Sequence, residues 1–336
     1  MIARRCMVRI NFRGVDISEY VESFTYSDNT DFTDDVSVVL SDRDRFWSDK
    51  FFPETGDILT AEIQVVNWNN EGDNRSIKLG SFEVDSISYS VTKLTVSAVA
   101  VPVFSSIRDE KNYKTWENVK LSVIAGDIAK KADLSLIFES DTDPEYDKSE
   151  QNNESDLSYL EKLCTAEGLA IKISGRKLVV FNEEKYDTFE PAVFLEAGKS
   201  YFYGYPSFKR SAKNIYSGCE IKYFDSKTDN VYTGIFNAPD MENLNKILKL
   251  QEKFNSETDT IYYNRKAKAR LREQNKKEWT ASVKLKGDII YFAGTNVNLK
   301  GFYKFDGKYN ITTCKHSISR SGYVVTLDLR KCLEGY

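Results

Sequence analysis

A single histidine, His316, stands in 336 residues. That scarcity excludes every site built on two imidazoles, the HExxH zinc helix among them. Cysteine is sparse and scattered: Cys6, Cys164, Cys219, Cys314 and Cys332 are odd in number and form no CxxC. The pattern reads as free buried thiols in a chain made in a reducing cytoplasm, not as a disulfide framework. Long apolar runs are missing too, and none approaches the roughly 20 residues of a membrane span. The opening MIARRCMVRINF has basic residues without an apolar h-region. Cys6, Val8, Ile10 and Phe12 alternate there with polar or longer side chains, which marks a first strand and not a signal peptide. Charge of one sign is lacking as well. With 47 Lys and Arg against 51 Asp and Glu, nothing draws the whole chain to nucleic acid or to an anionic membrane. Glycine-rich phosphate loops, serine nucleophile elbows and an oriented Cys–His pair are all absent. The sequence therefore predicts no catalytic residue, no cofactor and no metal.

What is present is aromatic. Twenty Tyr and twenty Phe with six Pro predict a mainly β chain, because aromatic side chains suit half-buried strands. The length suffices for two or three cores. Residues 1–105 alternate repeatedly: Val36, Val38 and Leu40; Ala61, Ile63 and Val65; Phe82 and Val84; Leu94, Val96, Ala98 and Ala100. Loops are expected at 53–57 and, as a long hairpin tip, at 69–74. An antiparallel barrel is expected here, since an open sheet of so many strands leaves edges exposed. Residues 106–185 read as a small α+β domain, with a helix on Leu121, Ile124, Ala125, Ile128 and Ala132 capped by Asn118, a strand at Leu134–Phe138, and an acidic linker at Glu139–Glu150. Residues 186–336 return to strands, at Trp279, Ala281, Val283 and Leu285; at Tyr309, Ile311 and Thr313; and at Val325, Leu327 and Leu329. One outer helix, about 256–275, is expected to start at the capping-box-like Ser256–Asp259. The fold class is thus mainly β and α+β overall: two antiparallel β-barrel domains with a small α+β domain between them.

The two β regions echo each other. Gly56 and Gly294 each precede a strand, and Gly80-Ser-Phe82-Glu-Val84 matches Gly307-Lys-Tyr309-Asn-Ile311 as Gly-x-aromatic-x-aliphatic. The intervals differ, 24 residues from Gly56 to Gly80 and 13 from Gly294 to Gly307.

Three charged or reactive groupings invite a site. Cys314 and His316 fall on one face of a strand, but no third or fourth ligand is near, so a structural or interface role is expected. The acidic runs Asp28–Asp35 and Glu139–Glu150 lack the DxDxDG calcium pattern and read as solvated loops. Arg265, Lys266, Lys268, Arg270, Arg272, Lys276 and Lys277 make a basic helix beside Tyr262 and Tyr263. Tyr263, Ala267 and Leu271, four apart, form its packing stripe, and the cations are expected to point mostly outward.

The stretch Gln151–Phe181 is the most distinctive. Ser155 caps a helix with Asp156 in its first turn, and Leu157, Leu160, Leu163 and Cys164 share one face. Gly168 supplies the left-handed stop, and Ser174-Gly175-Arg176 closes a hairpin. Its wording, QNNESDLSYLEKLCTAEGLAIKI, resembles the baseplate hub proteins of contractile phage tails, the late control protein D family. It also resembles the Gram-positive prophage versions found in phage-tail-like bacteriocins. Further resembling phrases are Gly80-SFEVD, Lys114-Thr-Trp116 with Leu121–Lys130, Ala267–Leu271 followed by Gly287-Asp288, and Gly307-KYNITTCKHSISRSGYVVTLDL-Arg330 with its His316, Gly322 and Tyr323.

The resemblance implies a structural virion component that is not an enzyme. It implies a homotrimeric ring of two tube-type β-barrels per chain, six quasi-equivalent units in all. Such a ring stacks on a hexameric tail tube protein on one face and docks a trimeric spike protein on the other. It also implies contacts with the tape measure protein and other baseplate proteins, the latter at Asp28–Asp49 or Glu139–Glu150. No specific nucleic acid and no membrane are implied, and the lumen would be neutral to acidic. The chain would be made in the bacterial cytoplasm and assembled into the tail or tail-like particle. Two other readings stand beside this one. Leu121–Ala132 faintly resembles the first helix of a peptidoglycan-binding LysM unit, though that motif's preceding Gly-Asp and later Asn are missing. A tail-associated wall hydrolase would need a further domain for which no length remains.

Overall fold

The computed structural model describes residues 3–225, 229–239, 241, 244–251 and 260–336. Leaving aside two-residue strands, the short helical turns at Ser18–Tyr20, Phe46–Lys50 and Tyr303–Phe305 and the four-residue helix Ser106–Asp109, the N-terminal region has β1 (Arg5–Phe12), β2 (Val21–Asn29), β3 (Asp35–Ser41), β4 (Ile58–Val66), β5 (Arg75–Ser90) and β6 (Lys93–Val99). The middle follows with β7 (Asn112–Lys120), α1 (Leu121–Lys131), β8 (Ser135–Glu139), β9 (Glu145–Glu154), α2 (Asp156–Ala166), β10 (Leu169–Ser174), β11 (Lys177–Asn182) and α3 (Glu183–Asp187). Beyond it lie β12 (Val193–Glu196), β13 (Ser207–Arg210), β14 (Gly218–Asp225), β15 (Asn230–Asn237), β16 (Ile247–Gln251) and α4 (Thr260–Asn275). The chain finishes with β17 (Trp279–Lys286), β18 (Asn296–Lys300), β19 (Gly307–Ser319) and β20 (Gly322–Lys331). The fold is mainly β and α+β overall, as expected.

The echo in the sequence is a repeat of topology. The six N-terminal strands pair in the order β1-β4-β5-β6-β3-β2. Six C-terminal strands, taken in the same chain order, pair as β12-β18-β19-β20-β17-β13. Only the first pairing differs, antiparallel for β1–β4 and parallel for β12–β18. The register repeats as well. Leu59 faces Phe82, and Val297 faces Tyr309. The Gly56 amide donates to the Val84 carbonyl at 2.8 Å and the Gly294 amide to that of Ile311 at 2.8 Å. A bulge follows at the same place in both, between Val84 and Ser86 and between Ile311 and Thr313. Gly56 and Gly294 sit at φ +87° and +85°, backbone that a side chain rarely adopts. The unequal intervals come from the longer hairpin arms and tip of β4–β5.

The bulge corrects one expectation. Period-two reading places Thr313 with Tyr309 and Ile311, but the extra residue shifts the phase. Cys314 and His316 turn inward instead, and Thr313 is only half-buried. The alternating residues named for β3, β4 and β6 are buried, which supplies the apolar area that drives the sheets together. The two halves join edge to edge: β2 pairs antiparallel with β19 from Asn29–Thr313 to Ser23–Ser319. Their side chains form one continuous core.

The middle segment has its own core beneath α1 and α2. β8 pairs parallel with β11, which pairs antiparallel with β10. Glu139–Glu150 is not a linker: Glu145–Glu154 is a strand on β7, because Tyr146, Ser149 and Gln151 bury one face while the acids stay on the other. Asn118 does not cap α1; the N-cap is Lys120, and Asn118 takes a left-handed φ of +46°. Beyond β13 the chain carries more than a helix, since β15-β14-β16 form a separate sheet packed on α4. The proposed capping box at 256–259 lies outside the described residues.

Candidate functional site

The motif residues of Gln151–Gly168 meet around one buried carboxylate. Gln151 Nε2 donates to Asp156 Oδ1 at 2.8 Å and to the Glu154 carbonyl at 2.9 Å. Lys131 Nζ lies 2.9 Å from Asp156 Oδ2, and Asn112 Nδ2 donates to Oδ1 at 3.2 Å. Ser155 Oγ accepts from the Ser158 amide, as a cap does. Trp116 stacks on Tyr159 at 5.5 Å and donates its indole N–H to Asp127 at 3.0 Å. Leu160 and Cys164 are fully buried, while Leu157 and Leu163 pack at the margin. Gly168, at φ +77°, ends α2 where Ala269 of α4 comes close. The motif locks β7, β9, α1 and α2 together. It is a structural device.

His316 lies on the seam between the two halves. Its Nδ1 is 2.7 Å from the Tyr323 hydroxyl, its Nε2 is 3.2 Å from Cys314 Sγ, and Tyr26 stacks over the ring at 5.8 Å. Burial pushes the imidazole down to about 4 and the Cys314 thiol well up. A neutral histidine and a neutral thiol fill the seam, and no group of three metal-ligating side chains occurs among the described residues. Around this seam the tip of β4–β5 clasps the C-terminal half. Trp68 donates to the Gly287 carbonyl at 2.7 Å, and Arg75 bridges Asp288 at 2.9 Å and Asp73 at 2.7 Å. Gly80, Gly307 and Gly322 take φ of +99°, +129° and +123°, and Tyr309 donates to the Phe305 carbonyl.

Gly287 is required by space. A Cβ there would stand 2.3 Å from the Tyr323 ring, which His316 and Trp68 hold in place. Gly287→Ala is expected to cost about 1–3 kcal/mol, the range for overpacking. Gly14→Ala, with nothing within 4 Å, costs about 1 kcal/mol or less through its φ alone. Urea unfolding of both variants checks this, and equal losses would refute the steric account.

Sequence reasoning missed the buried ion network. Arg272 contacts Glu183 at 2.8 Å and Asp187 at 2.6 Å. Arg330 reaches the same two carboxylates at 3.0 and 2.9 Å, and Lys276 reaches Glu183 at 3.1 Å. All five are buried. Burial alone would raise the Glu183 carboxyl, but Arg330, Lys276 and Arg272 outweigh it and hold it well below the usual range. A second group joins Lys266 and Arg265 to Glu167, which also accepts from Tyr146. A third sets Lys172 between Asp28 and Asp34. The basic helix does not turn its cations mostly outward, and Asp28 and Asp34 are not solvated, because each meets a countercharge from another segment. One signal was available: Glu183 and Asp187 are four apart, as are Arg272 and Lys276, so each pair shares a helical face.

These groups tie α3, α4 and β20 into one body and offer no nucleophile with a base beside it. The YQBQ-like family model matches residues 110–330. The chain belongs to the YQBQ-like family. No curated protein matches the sequence. In fold, the YQBQ-like chain is similar to the 43 kDa tail protein of prophage MuSo2 from Shewanella oneidensis, at 14% identity and a TM-score of 0.73. That alignment covers 98% of this chain and 99% of the other. It is similar to a tail protein from Neisseria meningitidis MC58, at 12% identity and a TM-score of 0.72 over 97% and 96% of the two chains. It is also similar to the E. coli c3393 protein, at 12% identity and a TM-score of 0.59 over 97% and 78%. That protein is described as a type VI secretion component with structural similarity to the T4 tail proteins gp27 and gp5.

Proposed function

We propose that this YQBQ-like protein is a structural hub at the end of a contractile tail or tail-like particle. Three copies would form a ring that adapts a hexameric tube to a trimeric spike and nucleates tube assembly. The six-strand unit found twice in one chain, with the same order, register and bulge, carries the reading. Two such units in each of three chains make six near-equivalent positions for a sixfold tube, while the chains keep true threefold symmetry for a spike. The full-length likeness to phage tail proteins supports it, as does the resemblance of the E. coli relative to gp27 and gp5. In this reading β1 to β6 and β12 to β20 are the two tube-type units, with the middle segment outside the ring and facing other baseplate proteins. The tape measure protein would pass the lumen. The buried ion networks suit the role, since they hold the middle segment and α4 rigidly to the C-terminal unit.

The mass of the purified protein, alone and with the spike protein of the same particle, tests the proposal. A trimer, or a complex with three copies per spike trimer, is expected. A chain that stays monomeric in both conditions overturns it.

A further inference from the structure

The repeat exposes an asymmetry in how its edges are used. In the C-terminal unit, β19 from Thr313 onward leaves β18 behind and offers an edge, and that edge is taken by β2 of the same chain. The equivalent edge of the N-terminal unit is the end of β5 after the matching bulge, Ser86–Ser90. It pairs with β6 on one side, and among the described residues no strand covers the other, because β4 stops opposite Glu83. The strand equivalent to β2 is β13, which pairs only with β17 among the described residues. Each chain thus contains one occupied junction and the two vacant halves of a second. Vacant strand edges are templates for another strand.

We propose that β5 of one copy pairs antiparallel with β13 of a second copy, reproducing between chains the β2–β19 junction found within one. The inference rests on the ring proposed above and assigns its interface. The repeat also dictates the register. Tyr26 faces Val36 as Phe208 faces Ala281, and Val36 and Ala281 reach Val84 and Ile311 through Ala98 and Leu329. Within the chain, His316 faces Tyr26 and Lys315 faces Ser27. Transposed, Tyr89 faces Phe208 of the second copy and Ser88 faces its Lys209. The surfaces fit this use. Tyr89 is 48% exposed, and beside β13 Tyr201, Tyr203 and Tyr205 are exposed, an aromatic content unusual for a solvated edge and suited to cross-strand pairs. Because the two edges differ, the contact is head-to-tail and generates a ring when its rotation closes.

Cysteine crosslinking tests the register. With Ser88→Cys and Lys209→Cys in one chain, or in two chains that are mixed, oxidation is expected to give a disulfide-linked ladder ending at the ring's copy number. Cys6, which is half-buried, is replaced by serine in every variant; neither single variant alone should then do so, since Cys164, Cys219, Cys314 and Cys332 are buried and do not compete. The measurement is made on the protein alone and on its complex with the spike protein. A charge swap gives a second readout: Ser88→Lys, set against Lys209, should lower the assembled fraction at least tenfold, and Ser88→Lys with Lys209→Glu should restore it. An oligomer of ring mass that neither crosslinks here nor responds to the swap overturns the strand assignment and leaves the hub reading intact. A monomer in both conditions overturns both. Crosslinking to the spike instead of to a second copy overturns the choice of occupant.

Discussion

Arg330→Met is expected to lower the unfolding free energy by about 3–5 kcal/mol, the range for removing one partner from a buried ion pair. Arg330 is 4% exposed and contacts Glu183 and Asp187, so water cannot replace it. Methionine fills much of the volume and none of the charge. Arg272 and Lys276 remain, but neither occupies the β20 side of the two carboxylates. Urea unfolding measures the loss. Adding Glu183→Gln should recover part of it, since one uncompensated carboxylate is then gone. The contrast is Arg13→Met, which breaks the exposed Arg13–Asp57 pair and is expected to cost under about 1 kcal/mol. Equal losses at Arg13 and Arg330 would refute the network's role. The acid limb gives a further check. Glu183 is held below the usual carboxylate range, so its contribution is present above that range and fades as pH falls through it. The gap between wild type and Arg330→Met should narrow accordingly.

What the sequence makes legible is local. The inward residues of β3, β4 and β6, the α4 stripe of Tyr263, Ala267 and Leu271, and the cap at Ser155 follow from period and capping chemistry alone, and all are found. The glycine echo is legible as a pattern, and pairing register turns it into a repeat. The ion networks are not legible, because Arg330 and Glu183 lie 147 residues apart and any cation reads as solvated until its partner is known. The β14–β16 sheet is obscured for another reason. Cys219 and Ile221 are buried, while Phe224, Val231, Ile235 and Ile247 are exposed, so apolar residues lie on both faces and blur the alternation. At Thr313 a bulge defeats period-two counting, and no residue preference announces it. The residues of the hub-like motif are legible as types, but their common purpose, enclosing Asp156, emerges only from the fold.

The seam between the halves should make the protein sensitive to mild acid, and His316 should be the cause. Its folded value of about 4 lies below the unfolded value of about 6.5. Between those values the unfolded chain binds a proton that the native chain refuses, so stability rises with pH across the window. The contribution is fully present above about 6.5, is lost progressively towards 4 and is flat below that. Its size is roughly 3 kcal/mol, from about 2.5 units at 1.36 kcal/mol each. The groups facing the ring explain the direction. Tyr323, Cys314 and Tyr26 are neutral, and the Tyr291 carbonyl and the Asp288 carboxylate, which favour the charged form, do not overcome burial. His316→Gln keeps a polar group of similar reach towards Tyr323 and removes the titration. Unfolding free energies of both proteins from pH 7 to 4 decide the matter. The wild-type advantage should shrink by roughly 3 kcal/mol, with Glu183 acting alike in both curves and cancelling. Parallel curves would mean that the imidazole binds its proton as readily in the seam as in the unfolded chain, and a seam that takes up charge so freely between two halves sharing one core would contradict the packing of Tyr26 and Tyr323 upon it.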